Sequence, residues 1–120
     1  MTLERRIDNI LTEIGISPEL LGYEALATGI KLLYLREEDY SKVTKTLYPR
    51  IAEEIGHGQN AIKVERRMRH AIERGFDNAD PDTIYKYFGN SISRYRDRPT
   101  VSAFLFRIAL NMKLEDKENV

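Results

Sequence analysis

The chain has 120 residues, 42% hydrophobic and 32% charged, which suits one domain spanning 1–120 around one core. It has no cysteine, so it carries no disulfide framework and no thiolate metal site, and no apolar run or leader points to a membrane or to export. A reducing cytoplasm is the expected setting. Lys plus Arg number 19, as do Asp plus Glu, so the net charge is zero and any nucleic-acid function must come from how the charge is distributed.

Taken in chain order, every long segment prefers a helical period and strand patterning is nearly absent. Residues 3–14 read as a first helix with Ile7, Ile10, Leu11 and Ile14 on its inner stripe, Thr2 as cap and Gly15 as stop. After the turn Ile16-Ser17-Pro18, residues 23–36 form a largely apolar second helix carrying Leu26, Ile30, Leu33 and Tyr34. Gly29 within it marks close packing. Residues 39–48 read as a third helix with Val43 and Leu47 inward. Asp80-Pro81 opens a short helix through Tyr87 that Gly89 ends, and residues 100–114 form the last one, with Thr100 as cap and Phe104, Leu105, Ile108 and Met112 inward. The charged tail 115–120 is expected to fray.

The most informative stretch lies between these. Residues 48–56, Tyr-Pro-Arg-Ile-Ala-Glu-Glu-Ile-Gly, read as a short helix with Pro49 in its first turn and Ile51 and Ile55 facing the core. Ala52 followed by Gly56 is a spacing that lets two helices pack closely and turn sharply. An ordinary glycine C-cap is equally compatible. The polar turn His57-Gly58-Gln59 leads into residues 60–73, with Asn60 as the better cap. There Ala61, Val64, Met68, Ala71 and Ile72 fall on one stripe, and Lys63, Arg66, Arg67, His70 and Arg74 on the other. Glu65 and Arg69, four apart at the margins, are placed to pair.

That order is a helix-turn-helix, whose second helix is built to lie in a DNA groove. The charge map singles out the same region. Residues 1–58 hold seven basic and ten acidic groups, a balance of −3, whereas 59–107 hold ten and six, a balance of +4. The plainer reading of a basic helix is a solvated face; the preceding helix and turn favour DNA contact, with Gln59, Asn60, Arg67, Arg69 and His70 positioned for the phosphates. Between the last two helices, Ser93-Arg94-Tyr95-Arg96-Asp97-Arg98 sets three arginines around an aromatic. Arg94, Arg96 and Arg98 are candidates to grip the DNA backbone, against a plainer reading as a solvated loop whose arginines pair with nearby acids.

Catalysis finds no support. His57 and His70, the only histidines, lack a ligand spacing. The adjacent pairs Glu37-Glu38 and Glu53-Glu54 point in different directions on a helix and have no nucleophile beside them. No cofactor, metal or nucleotide site is legible.

Further residues carry a family resemblance: Glu13-Ile14-Gly15, Gly22-Tyr23, Leu47-Tyr48-Pro49, Ile51-Ala52, Val64-Glu65-Arg66, Arg69-His70-Ala71-Ile72-Glu73, Phe88-Gly89, Pro99-Thr100 and Leu114-Glu115. In this order they resemble the C-terminal DNA-binding effector domain of the sporulation stage-zero response regulator of Bacillus and Clostridium relatives. The resemblance implies an all-α domain of about six helices with an embedded helix-turn-helix. It implies sequence-specific binding to double-stranded DNA elements of the TGTCGAA type, head-to-tail pairing of two copies on tandem elements, and contact with RNA polymerase through its sigma factor. By position, the base-reading candidates are Lys63, Glu65 and Arg66. Arg66 could donate a bidentate pair to guanine and Glu65 could accept from cytosine. Lys63 stands where the family usually has arginine, and lacks its planar fork. Two departures accompany the match: the turn at 56–59 is longer than in well-known members, and the family's receiver domain has no counterpart in this chain. Without that restraint, the resemblance implies constitutive binding, weak in the absence of dimerisation. The competing functions are a helical protein-interaction module and a DNA-binding regulator unrelated to sporulation.

Overall fold

The computed structural model describes residues 1–36, 38–91 and 98–119. Among them are six α-helices and no strand: α1 (Leu3–Ile14), α2 (Tyr23–Leu35), α3 (Leu47–Ile55), α4 (Ala61–Asp77), α5 (Pro81–Phe88) and α6 (Val101–Glu118), with a short 3-10 turn over Gly89–Ser91. The all-α reading holds. No helix among the described residues is long and apolar enough to cross a membrane.

Local chemistry sets the helix ends. Thr2, Asn60, Asp80 and Thr100 have extended backbones, and each side-chain oxygen accepts an N–H from the first turn of the helix it caps. Gly15 closes α1 in the left-handed region at φ 107°, where a side chain would be strained.

Helix α2 is apolar around most of its circumference because it is the hub. It packs against α1, α3, α4 and α6, and its Leu26, Ile30 and Leu33 are buried. Gly29 is the point of closest approach, as its sequence context predicts. A Cβ there would lie 3.0 Å from Ile51 Cδ1 and 3.1 Å from both methyls of Leu105, so the missing side chain lets α2 sit tight against α3 and α6. At the far end, Phe76 of α4, Phe88 of α5 and Phe104 of α6 form an aromatic knot with ring centroids 5.6–6.3 Å apart.

Three stretches differ from the sequence reading. Residues 41–46 are turns rather than helix, and the helical run starts at Leu47. Local side-chain bonds compete there: Asp39 Oδ1 accepts the Ser41 N–H at 2.9 Å, and Thr46 Oγ1 donates to the Lys42 carbonyl at 2.7 Å. Helix α4 runs on past residue 73 to Asp77, carried by burial of Gly75 and Phe76. The C-terminal tail does not fray at 115, since α6 continues to Glu118. Arg6 of α1 holds it there, donating to the Met112 carbonyl at 3.0 Å and pairing with Asp116 at 2.8 Å, while the Tyr34 hydroxyl donates to the same Asp116 carboxylate.

Candidate nucleic-acid interface

Helix α4 is fixed from one side and open on the other. Its inner stripe, Val64, Met68, Ala71 and Ile72, is buried in the core. Two glycines set its depth. A Cβ on Gly22 would fall 2.0 Å from the Arg67 carbonyl oxygen, so the start of α2 meets the middle of α4 at backbone distance. A Cβ on Gly75 would fall 2.5 Å from Ile16 Cγ1, which seats the end of α4 on the turn after α1. Nothing but glycine fits either place without a shift of backbone or core.

The turn between α3 and α4 is built from left-handed residues. Gly56, His57 and Gly58 have φ of 70°, 54° and 73°, and the Gln59 N–H returns to the Gly56 carbonyl at 3.1 Å. Gly56 serves the turn through this conformation and as C-cap, its N–H bonding to the Ala52 carbonyl at 2.9 Å. It does not serve close packing, because a Cβ on it would meet nothing within 4 Å. The approach to α4 at backbone distance is made from a different helix, by Gly22 at the start of α2. His57 is exposed, as expected, and is one of two non-glycine residues with positive φ among the described residues.

Each candidate residue has a definite place. Lys63 is exposed, and its ammonium lies 3.5 Å from the Gly58 carbonyl on the turn. Glu65 is half-buried and pairs with Arg69 at 3.7 Å, as their spacing predicts. Arg66 and His70 are exposed and Arg67 is half-buried; none of the three has an ion-pair partner among the described residues. Asn60 is exposed and uses its Oδ1 to cap α4, accepting the Lys63 N–H at 2.9 Å. Gln59 is half-buried, and its side-chain oxygen is buried without a partner. Lys63, Arg66, Arg67 and His70 therefore share one solvent-facing ridge, with Arg74 continuing it toward the C-terminus.

Of the second arginine group, Arg98 is not part of this ridge. Arg98 pairs with Asp77 at 2.7 Å and lies over the Phe76 ring at 5.9 Å, bracing the end of α4 against the start of α6. Arg94 and Arg96 lie outside the described residues, as does Glu37 of the Glu37-Glu38 pair. Glu53 and Glu54 are both exposed, and Glu54 pairs with Arg50 at 2.9 Å. One outward residue was not singled out by sequence reasoning: Ile62, in the first turn of α4, is 72% exposed. The helical wheel carried the signal, since position 62 falls outside the apolar stripe.

A solvent-facing basic ridge on a helix whose other face is locked into the core can bind a polyanion without distorting the fold, and it offers no catalytic constellation. Comparison with known families agrees. The model of the family described as "Sporulation initiation factor Spo0A C terminal" matches residues 7–112, nearly the whole chain. The chain belongs to that family of DNA-binding transcription-regulatory domains of sporulation, which are not enzymes.

Proposed function

We propose that this chain is a single effector domain that recognises TGTCGAA-like duplex elements by inserting α4 into the major groove, with α3 and α4 acting as a helix-turn-helix. The observation that carries the reading is the unpaired basic ridge on α4, set behind a turn and backed by a rigid core. In this reading Arg66 donates two parallel bonds to a guanine edge, Glu65 accepts from a cytosine amine, and Lys63 reaches a second guanine as a single-point donor. Arg67, Arg69, His70, Asn60 and Gln59 hold the flanking phosphates. The Glu65–Arg69 pair keeps the carboxylate oriented while it is free of DNA. Arg98, already engaged with Asp77, acts at one remove by bracing the end of α4. Two copies would bind head-to-tail on tandem elements, and a DNA-bound copy would present its remaining surface to the sigma factor of RNA polymerase.

The test is a binding titration with tandem TGTCGAA duplexes and a scrambled duplex of equal length, across a range of salt. Affinity should fall steeply with salt, and the matched element should be preferred. Salt-insensitive binding, or equal affinity for both duplexes, would falsify the reading.

A further inference from the structure

Ile62 sits among charges. It is the second residue of α4, is 72% exposed, and does not belong to the set of partly buried apolar residues that pack on the core. Neither capping nor packing requires isoleucine at this position: Asn60 caps the helix, and Ala61 and Val64 make the inward contacts of this turn. A β-branched residue is also a mediocre choice for an exposed helical site, where Lys, Glu or Ala would fold better. On the helix surface it neighbours Glu65 at i+3 and Arg66 at i+4, and it is the one apolar side chain on a face otherwise made of Lys63, Glu65, Arg66, Arg69 and His70.

We propose that Ile62 is a specificity-determining residue that packs on the C5 methyl of a thymine within the recognised element. The inference rests on the reading of α4 as the base-contacting helix. The first residues of such a helix reach deepest toward base edges. The thymine methyl is the apolar group that the major groove displays, so an apolar side chain there distinguishes thymine from cytosine, which lacks the methyl and offers an amine. Charged neighbours cannot perform that discrimination, because they gain nothing from a methyl and lose hydration beside it. Isoleucine suits the task because its χ1 is already restricted on a helix, so little side-chain freedom is lost on docking.

The experiment compares the wild-type chain with Ile62→Ala on TGTCGAA duplexes in which each thymine, on either strand, is replaced in turn by uracil. That replacement removes the methyl and leaves every hydrogen-bonding group in place. Wild-type affinity should drop about three- to tenfold at one thymine, the effect expected from one buried methyl group. Ile62→Ala should bind that uracil duplex and its parent alike, and Ile62→Val should keep part of the difference. Helical content of each variant, read by circular dichroism, should match wild type because the side chain is outside the core. A wild-type chain that prefers TGTCGAA over the scrambled duplex yet ignores every uracil replacement overturns this inference alone. So does an Ile62→Ala variant that keeps the full uracil penalty. Loss of the preference for TGTCGAA itself overturns the base-reading role of α4 and this inference with it.

Discussion

Arginine does two different jobs at two places in this molecule. Arg6, on α1, has a side chain only 22% exposed and is fully committed. It bonds the Met112 carbonyl, pairs with Asp116 at 2.8 Å and Glu115 at 3.8 Å, and lies over the Tyr34 ring at 5.6 Å. Arg66, on α4, is exposed and joined to no acid among the described residues. Lys31 with Glu4, Lys86 with Glu13, Arg50 with Glu38 and Glu54, and Arg98 with Asp77 follow the pattern of Arg6. The zero net charge is therefore not evenly spread. Acids pair with bases on α1, α3 and α5, whereas on α4 only Arg69 is paired within the helix and Lys63, Arg66, Arg67 and Arg74 lie along one face with no ion pair among the described residues. That clustering, rather than net charge, is what could attract phosphates. A protein cation without an internal partner is available to an external one.

Seating of α4 gives the strongest way to break the contrast. Gly22→Ala drives a Cβ into the Arg67 backbone oxygen, and neither partner is a flexible side-chain end that could swing aside. It should cost about 3 kcal/mol, the upper end of overpacking penalties, and lower Tm by about 10 °C or more. DNA binding should weaken at temperatures where the variant is still folded, because the ridge is displaced along with its backbone. A thermal melt within about 2 °C of wild type would show that α4 is not held where Gly22 places it.

A crossed pair of substitutions sharpens the contrast next. Arg66→Ala should erase about 1–3 kcal/mol of preference for TGTCGAA over the scrambled duplex and leave the melting curve where it was. Arg6→Ala should do the reverse, costing roughly 1–2 kcal/mol of folding stability through lost hydrogen bonds and stem packing while sparing duplex discrimination. Duplex titrations and chemical denaturation on the same two variants decide it. If each substitution moves both readouts equally, the division between structural and functional arginines is wrong.

How much of this was legible in the sequence depended on the range of the forces involved. The caps at Thr2, Asn60, Asp80 and Thr100 were readable because each is a side chain bonding to backbone within its own first turn. The inner stripe of α4 and the Glu65–Arg69 pair were readable because both follow from the helical repeat alone. Residues 41–46 were misread because apolar spacing at Val43 and Leu47 imitates a helix, while Asp39 and Thr46 bond to local backbone instead. The order of the α6 tail was invisible because Arg6 and Asp116 are far apart in sequence and meet only in the fold. For the same reason the sequence could offer acid pairing for Arg98 as an alternative but could not name Asp77 as the partner, and Gly22 stood out only as part of a family pattern, although it sets the depth of the candidate reading helix.

The smallest expected effect isolates the structural side of the contrast by pH. Asp116 titrates below the usual aspartate range, chiefly because the Tyr34 hydroxyl donates to its carboxylate; desolvation opposes this as the next largest effect, and the Arg6 hydrogen bond and charge add to the lowering. A carboxyl whose folded pKa is depressed binds its proton more readily in the unfolded chain. Its contribution is therefore present above the unfolded pKa, about 4, and is lost as pH falls through the folded value. Glu4 and Glu13 are depressed for the same kind of reason, by Lys31 and by Lys86 with Tyr87 respectively, so the whole chain should lose stability on acidification. The share of Asp116 is extracted by comparison with Asp116→Asn, which has no proton to gain. The Tm gap between wild type and this variant should be constant from pH 7 down to about 5 and should close progressively below about 4. A gap that stays open at pH 3, or that closes already near pH 6, would mean that the hold of α1 and α2 on the end of α6 does not run through the charge of Asp116.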